Sequence, residues 1–472
     1  MYRSIFALIL ALPYSLFGQQ AWTLEQCVKR AEERNLAVLD AALEAELAGR
    51  DHDRARWDLL PDLNGVATHG YNYGRVIDRF TNTFATDQVR TNNFYLSSNL
   101  SLFEGLRKQN AIKQAATNSE AAEQGYQAAL NDARLAVVQA FLDVLGLRER
   151  IEAAEQQLAT TREQIGLTSA MVEAGRLARA ELLTIQAQQA QEEYALTDLR
   201  NQHDQRLFAL GRALQLEANE LRTFDIVAPA LGDAAVAPPA LSTDEVLDNV
   251  LRNNPAYRQA ELQVRSAERS VAIARAGMIP SLSVNGSLGT GYSGRNYRQV
   301  GDVIVGSPVL IGATQSGEAV YAPSFNYNTE LVPFSEQLDQ NFNQSFGFTL
   351  SVPLFNNMRN RFAISQARVR HEQARNRLAG TRNELQGNVL DALVMLRSAY
   401  SQYQAASKAV EAGNLALEYA QERFNQGAIT SIELSTAKAN LNRSMADLIN
   451  AKYQYVMASK YLDVLQGLPV TL

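Results

Sequence analysis

Cysteine occurs once in the 472 residues, at Cys27, so neither an internal disulfide framework nor a Cys-rich metal site can be built. Histidine occurs four times, which leaves little material for a His/Cys metal centre. Neither sign of charge dominates: 44 Lys+Arg stand against 50 Asp+Glu, for a net charge of -6. That balance excludes the strongly basic face of a nucleic-acid-binding protein. Repeated apolar runs of about 20 residues, which a multi-span helical membrane protein needs, are also missing, and the mean hydropathy is only -0.21. No nucleophile–base constellation stands out, so the sequence offers no catalytic site and no cofactor site. What is abundant is dispersed: apolar residues make up 46% of the chain, enough to bury a core.

The one concentrated apolar stretch is at the start. Arg3 supplies a positive n-region, Ile5 to Leu16 is almost wholly apolar, and Gly18 and Gln19 follow. This is the layout of a secretory signal peptide over residues 1–18, too short to span a membrane. A lipoprotein signal would need a cysteine at the cleavage point, and Cys27 lies beyond it.

The remainder is written twice. Asn35 matches Asn254 and Pro61 matches Pro280 at a spacing of 219; Leu102-Phe103 matches Leu354-Phe355, and Gly175 matches Gly427, at 252. The change of spacing places an insertion of about 33 residues in the second copy, between Pro280 and Leu354. A repeat this long is a duplicated half-molecule rather than a solenoid unit. The expected organisation is a first repeat at 19–216, a linker rich in Ala and Pro at 217–241, and a second repeat at 242–472.

Two periodicities alternate within each half. A seven-residue apolar series runs Leu130, Val137, Val144, Ile151, Leu158, Ile165, Val172, and again Val389, Leu396, Tyr403, Val410, Leu417, Phe424. Period seven means coiled-coil packing, and Ala133, Ala140, Ala392, Ala399 and Ala406 between these positions allow close approach of neighbouring helices. From about Leu106 to Ala174 such a helix spans roughly 100 Å at 1.5 Å per residue. Gly175 and Gly427 are the expected helix stops at hairpin tips. Elsewhere the period is two: Phe346, Phe348, Leu350 and Val352 alternate with Ser345, Gly347, Thr349 and Ser351. Phe94, Leu96, Leu100 and Leu102 share a face with Ser98 as exception, and Leu282, Val284 and Leu288 share another with Gly286 between. Hairpins are therefore expected at about 62–104 and 281–355, the second carrying a long loop at 290–344.

Apolar-out, polar-in strands of about ten residues suit an outer-membrane β-barrel, although a half-buried soluble sheet has the same alternation. The export signal and the lack of spanning helices tilt the reading to the barrel. Two hairpins supply four strands per chain, and open sheet edges cannot sit in lipid. Two chains would close eight strands around a packed interior; three would close twelve around water, which the Ser/Asn/Thr face favours.

The duplicated helix–hairpin–helix plan resembles the TolC-type outer-membrane efflux proteins. So do the Leu/Ile-Pro-Asp/Ser strand entry at Leu60-Pro61-Asp62 and Ile279-Pro280-Ser281, the Leu-Phe strand exit, and the Gly-x5-acidic tip. The resemblance covers essentially the whole mature chain. It implies a mostly α fold with transmembrane β: a homotrimeric 12-stranded barrel in outer-membrane lipid, continuing into a long coiled α-helical periplasmic tunnel. It implies a periplasmic adaptor protein and an inner-membrane pump as partners. It also implies an acidic ring at the tunnel's closed end, carried here by Glu181 and Glu433, six residues after the tip glycines. The family usually has Asp at that position, and its second acidic position is Thr436 here, which supplies no carboxylate for a second ring. Such a ring favours cations; a solvated helix face is the plainer reading of a lone Glu. Gly175, Leu177, Gly427 and Ile429 are candidate adaptor contacts, if they are exposed rather than serving turn chemistry alone. The function implied is a passive conduit for a tripartite efflux or secretion system. The rival is an exported trimeric coiled-coil scaffold or adhesin without a pore.

Two motifs are set aside. Gly289-Thr-Gly291-Tyr-Ser-Gly294 fits a dinucleotide pattern, yet no helix follows to present its N-terminus to a phosphate. His52 between Asp51 and Asp53 reads as a charged helix face. The Tyr and Phe content of 290–344 points to self-packing or to surface contacts.

Overall fold

The computed structural model describes residues 21–78, 80–82, 84–85, 88–229 and 242–468. The expected signal peptide and residues 230–241 of the expected linker lie outside them. In chain order the first half contains β1 (Ala21–Trp22), α1 (Leu24–Arg34), α2 (Leu36–Trp57), β2 (Asn64–Asn72), β3 (Val76–Ile77), β4 (Phe84–Ala85) and β5 (Val89–Phe103). It continues with α3 (Arg107–Glu173), α4 (Arg179–Ala213), α5 (Ala218–Leu221) and β6 (Asp225–Ile226). The second half contains α6 (Thr243–Asn253), α7 (Pro255–Ala276), β7 (Ser281–Ser293), β8 (Tyr297–Ala313), β9 (Ala319–Leu331), α8 (Phe334–Gln340), β10 (Asn343–Ser351), α9 (Arg359–Asn425) and α10 (Ser431–Leu465).

The duplication is carried residue for residue. α1 and α6 each have 11 residues, α2 and α7 each 22, α3 and α9 each 67, α4 and α10 each 35. The matched asparagines do the same job in both halves. Asn35 and Asn254 end the first helix of each half in extended backbone, and each side-chain oxygen accepts the amide two residues on, from Ala37 and Ala256. The turn from sheet to long helix is also repeated. Gly105 and Leu106 have φ of 60° and 64°, and their counterparts Asn357 and Met358 have 52° and 62°. Side chains rarely accept this left-handed backbone. At Gly105 a Cβ would also come within 2.8 Å of Ile279 Cβ, so only glycine fits there.

The chain forms two compact units. Among the described residues, one comprises those up to Arg50, Ala116–Ser266 and those from His371; the other comprises Asp51–Ala115 and Ala267–Arg370. In the helical unit the seven-residue series faces inward: Val137, Val144, Leu158, Val389, Leu396 and Phe424 are all buried. One core gathers Cys27, Ala31, Val138, Phe141, Leu145, Leu210 and Leu214 with Phe224 and Ile226. The expected linker thus begins as folded structure, because Phe224 and Ile226 complete this core and β6 pairs in parallel with β1. A second core joins Val246, Val250, Val389, Leu393, Leu396, Tyr455 and Leu462.

The other unit is built on an antiparallel four-stranded sheet in the order β10-β7-β5-β2. Register turns the sequence alternation into rows. Ser345, Ser287, Ser97 and Asn64 lie opposite one another across all four strands, and Thr349, Ser283 and Ser101 across three. On the other face Phe348, Val284 and Leu100 line up, and Leu288 pairs with Leu96. The two sequence exceptions meet: Ser98 pairs with Gly286. The face with the apolar rows is left open, Phe346, Phe348 and Leu350 being 73%, 65% and 66% exposed.

The expected loop at 290–344 is instead an ordered ribbon, β8 paired antiparallel with β9, followed by α8. Its period was hidden in the sequence by three register shifts along the ribbon and by Pro308 and Pro323. The Gly289–Gly294 pattern lies on and just after β7. A Cβ on Gly291 would come within 2.1 Å of the Phe80 ring, so this glycine makes room for an aromatic rather than for a phosphate. No helix of the described residues is long and apolar enough to cross a membrane.

Candidate functional site at the helical tips

Both helical hairpins of the helical unit turn in the same way. Gly175 and Gly427 have φ of 71° and 73°. Gly175 N–H donates to Val172 O at 3.0 Å and Arg176 N–H to Met171 O at 2.9 Å; Gly427 and Ala428 repeat this with Phe424 O and Arg423 O at 2.9 and 2.8 Å. This is the helix-ending motif that needs a left-handed residue just past the helix, for which glycine carries no Cβ penalty. Turn chemistry therefore accounts for both glycines.

The apolar candidates turn inward. Ile429 is buried and Leu177 half-buried, in one cluster with Ile185, Phe424 and Leu434. Ile165, Leu417 and Ala420 pack against the same cluster, so the two hairpins of one chain hold each other at their tips. The expectation of an exposed apolar pair is corrected here: the side chains are used inside the chain, because the tips close on each other rather than projecting singly. The face left outside near the second tip carries Ile432, 65% exposed.

The two glutamates, equivalent in sequence, are unlike in environment. Glu181, in the first turn of α4, accepts the backbone N–H of Ser431 at 2.8 Å on Oε2. It thereby caps the first turn of α10, where unpaired amides and the helix dipole favour a carboxylate. Glu433 stands exposed in the first turn of α10, and its amide is capped by Thr430 Oγ1 at 3.3 Å. The two helix starts also differ in their own caps: Thr430 supplies a capping hydroxyl to α10, whereas the matching Ala178 supplies none to α4. Replacing Glu181 by alanine is expected to cost about 0.5–2 kcal/mol at this helix end. Hydrogen exchange at the amides of Ser431 to Leu434 should accelerate, with the amides in the middle of α10 unchanged.

Sequence reasoning missed a polar seam beside the tips. Thr161, Gln164 and Thr168 are buried along one face of α3, as are Ser431 and Lys438 on α10. Gln421 Nε2 donates to Gln164 Oε1 at 3.1 Å, but Thr161 Oγ1, Thr168 Oγ1, Gln164 Nε2 and Ser431 Oγ have no partner among the described residues. Burial pulls the Lys438 ammonium below its usual pKa, opposed by the charge of Glu192. The two threonines fall seven residues apart, at the positions interleaved with the apolar series that Ala133 and Ala140 begin. Nothing in the sequence pattern marked Gln164 or Lys438, because their burial depends on which helices become neighbours.

Comparison with known proteins adds the following. The family model for outer membrane efflux proteins matches residues 27–214 and 246–468, one segment in each half. The outer membrane protein TolC of Vibrio cholerae is 21% identical over 97% of this chain and 93% of its own length. The alkaline protease secretion protein AprF of Pseudomonas aeruginosa is 25% identical over 89% of this chain and 79% of its own. Among solved structures, the outer membrane protein VceC of Vibrio cholerae superimposes with a TM-score of 0.75 at 16% identity, covering 94% of this chain and 96% of that one.

Proposed function

The chain belongs to the outer membrane efflux protein family, and from that premise we propose that it is the outer-membrane outlet of a tripartite efflux or secretion system. It resides in the outer membrane with a periplasmic extension, and conducts passively, taking its energy from an inner-membrane pump through a periplasmic adaptor. The observation that carries this reading is the four-stranded sheet with two unpaired edges, β10 and β2. In lipid each unpaired backbone group costs several kcal/mol, so β10 of one copy pairs with β2 of the next. Three copies close twelve strands, with the apolar rows toward lipid and the Ser/Asn/Thr rows toward a water-filled lumen. The helical unit supports the same assembly. Leu36, Leu39, Leu43 and Leu47 form an exposed stripe on α2, and Leu390 and Val394 another on α9. Contiguous apolar surface of this kind marks an interface, here with the neighbouring copies.

In this trimer the helical tips form the inner end of the conduit. Glu433, free of other duties, is the acidic ring that favours cations, while Glu181 holds the hairpin tips together. The unpartnered polar seam weakens tip packing, since buried groups without partners cost about 1–3 kcal/mol each. The tips are thus the part of the bundle that rearranges most cheaply when the adaptor engages.

The test is conductance of the purified protein in planar bilayers, alongside its mass in detergent. A trimer forming cation-preferring channels is expected. Glu433→Gln is expected to lower cation-over-anion selectivity, and Glu181→Gln to leave it nearly unchanged. A trimer that inserts without conductance would instead be a scaffold, and equal effects of the two substitutions would remove the assignment to Glu433.

A further inference from the structure

The β8–β9 ribbon is the feature that the conduit reading leaves unused. Its register separates two faces. Leu310 pairs with Tyr321, Val305 with Phe325 and Tyr297 with Leu331, whereas Arg298 pairs with Glu330, Val300 with Asn328 and Ile304 with Asn326. One face is therefore mainly aromatic and aliphatic, interrupted by Gln299 opposite Thr329, while the other mixes Arg298, Glu330, Asn328 and Asn326 with Val300, Ile304 and Val309. The apolar face is bare: Val305 is 73% exposed, Tyr321 59%, Leu310 57% and Phe325 50%. A two-stranded ribbon standing alone in water is marginal, and an exposed apolar patch of this size marks a contact.

The base of the ribbon is held firmly. Gln337 on α8 accepts the Ser293 amide at 2.9 Å, and its Nε2 donates to Ser293 O at 3.1 Å and Val332 O at 2.8 Å. Arg298 donates to Glu330 at 2.6 Å and to Glu336 at 2.7 and 2.8 Å. The point where the ribbon leaves β7 and the point where it returns toward β10 are thus clamped together. An apolar face presented by a clamped base loses little conformational freedom on docking.

Chain connection decides what covers it. The ribbon leads into β10, one open edge of the sheet; the other open edge, β2, leads into the segment from Tyr73 to Gln88. Within one chain two of its residues already face β7: Phe80 lies against Gly291 and Asp78 accepts from Ser293 Oγ. It still leaves Tyr73, Ile77 and Phe84 exposed at 73%, 59% and 67%, with the Arg75 guanidinium over the Phe84 ring. When β10 pairs with the β2 of a neighbour, ribbon and foreign tip stand side by side at the same end of the sheet. Their charges are complementary, with exposed Asp302 and Glu318 on the ribbon against Arg75 on the tip. We propose that the apolar face of the β8–β9 ribbon docks on Tyr73, Ile77 and Phe84 of the next copy of this chain, making a clasp between protomers at the end of the sheet where β2 runs out and β10 begins. The clasp rests on the trimer reading above. A head-to-tail contact of this kind repeats around a closed ring.

Cross-linking on the full-length protein in outer membranes tests it. Burial pushes the Cys27 thiol up to about 12, so it is inert to maleimides and introduced cysteines react alone. Phe84→Cys with Tyr321→Cys, treated with a flexible bismaleimide, is expected to yield covalent dimers and trimers, and either single variant monomers only. In parallel, Tyr321→Lys with Phe325→Lys is expected to lower the temperature at which the trimer dissociates in dodecyl sulfate, without loss of membrane insertion. Only intrachain cross-links in a protein that runs as a trimer would overturn the clasp. So would a Tyr321→Cys thiol that is shielded until lipid is extracted, since lipid would then be the cover. A wild-type protein that is not trimeric fails earlier, and strikes at the conduit reading instead.

Discussion

Replacing Phe348 by arginine should cost about 2–4 kcal/mol in the bilayer, the range for a cation near the midplane on the lipid face of a barrel. At 1.4 kcal/mol per factor of ten, this lowers the equilibrium favouring the inserted form by roughly 30- to 700-fold. Phe348 sits in the middle of β10, opposite Val284, which in turn faces Leu100, so the substitution falls within an apolar row. The neighbouring change Thr349→Arg provides the control, because Thr349 belongs to the row of Ser283 and Ser101 on the opposite face. It is expected to insert and trimerise normally. The measurement is the yield of heat-modifiable trimer in outer-membrane fractions. If both substitutions were equally harmful, or if the harm followed Thr349, the assignment of faces to lipid and lumen would be reversed or absent.

The second large effect is expected in the helical unit. Phe141 on α3 is fully buried, in the core that joins Cys27, Val138, Leu145, Leu210, Leu214, Phe224 and Ile226. Truncation to alanine removes the ring and leaves a cavity that fixed helices cannot close, at a cost of about 3–5 kcal/mol. This core also ties β6 to the bundle, helped by Arg148, whose guanidinium donates to Ile226 O at 2.7 Å. The thermal transition of Phe141→Ala in detergent should therefore fall by several degrees, and protease should cut first near Asp225. Tyr194→Ala on α4, where the side chain is 78% exposed, should leave the transition nearly unmoved. A small shift for Phe141→Ala would mean that the first-half core does not limit stability.

Much of the architecture was legible because it is written in short-range period and in duplication. A run of period seven forces one helical face inward whatever its partner is; the 67-residue helix α3 begins and ends within about a turn of the expected positions, and α9 ends just before its expected stop at Gly427. A tip glycine followed by a new helix start identifies itself, since left-handed backbone is needed there. Period two placed three of the four sheet strands, β2 being the irregular one, yet it could not place β8 and β9, where bulges and prolines break the alternation. Nor could it say that Ser98 and Gly286 share a row; that needed the register between strands 188 residues apart.

The amino-acid order by itself determined the doubled plan, the long coiled helices, the two-faced strands and the positions of the hairpin tips, because each follows from repulsion or attraction between residues a few places apart. Only the tertiary structure decided what the tip residues do. Glu181 and Glu433 occupy the same place in their repeats, but one meets an amide contributed by the other hairpin and the other meets solvent. Leu177 and Ile429 are drawn inside by a cluster assembled from all four long helices. The fate of a side chain at a junction is set by whatever distant segment arrives there, and local spacing carries no record of that arrival.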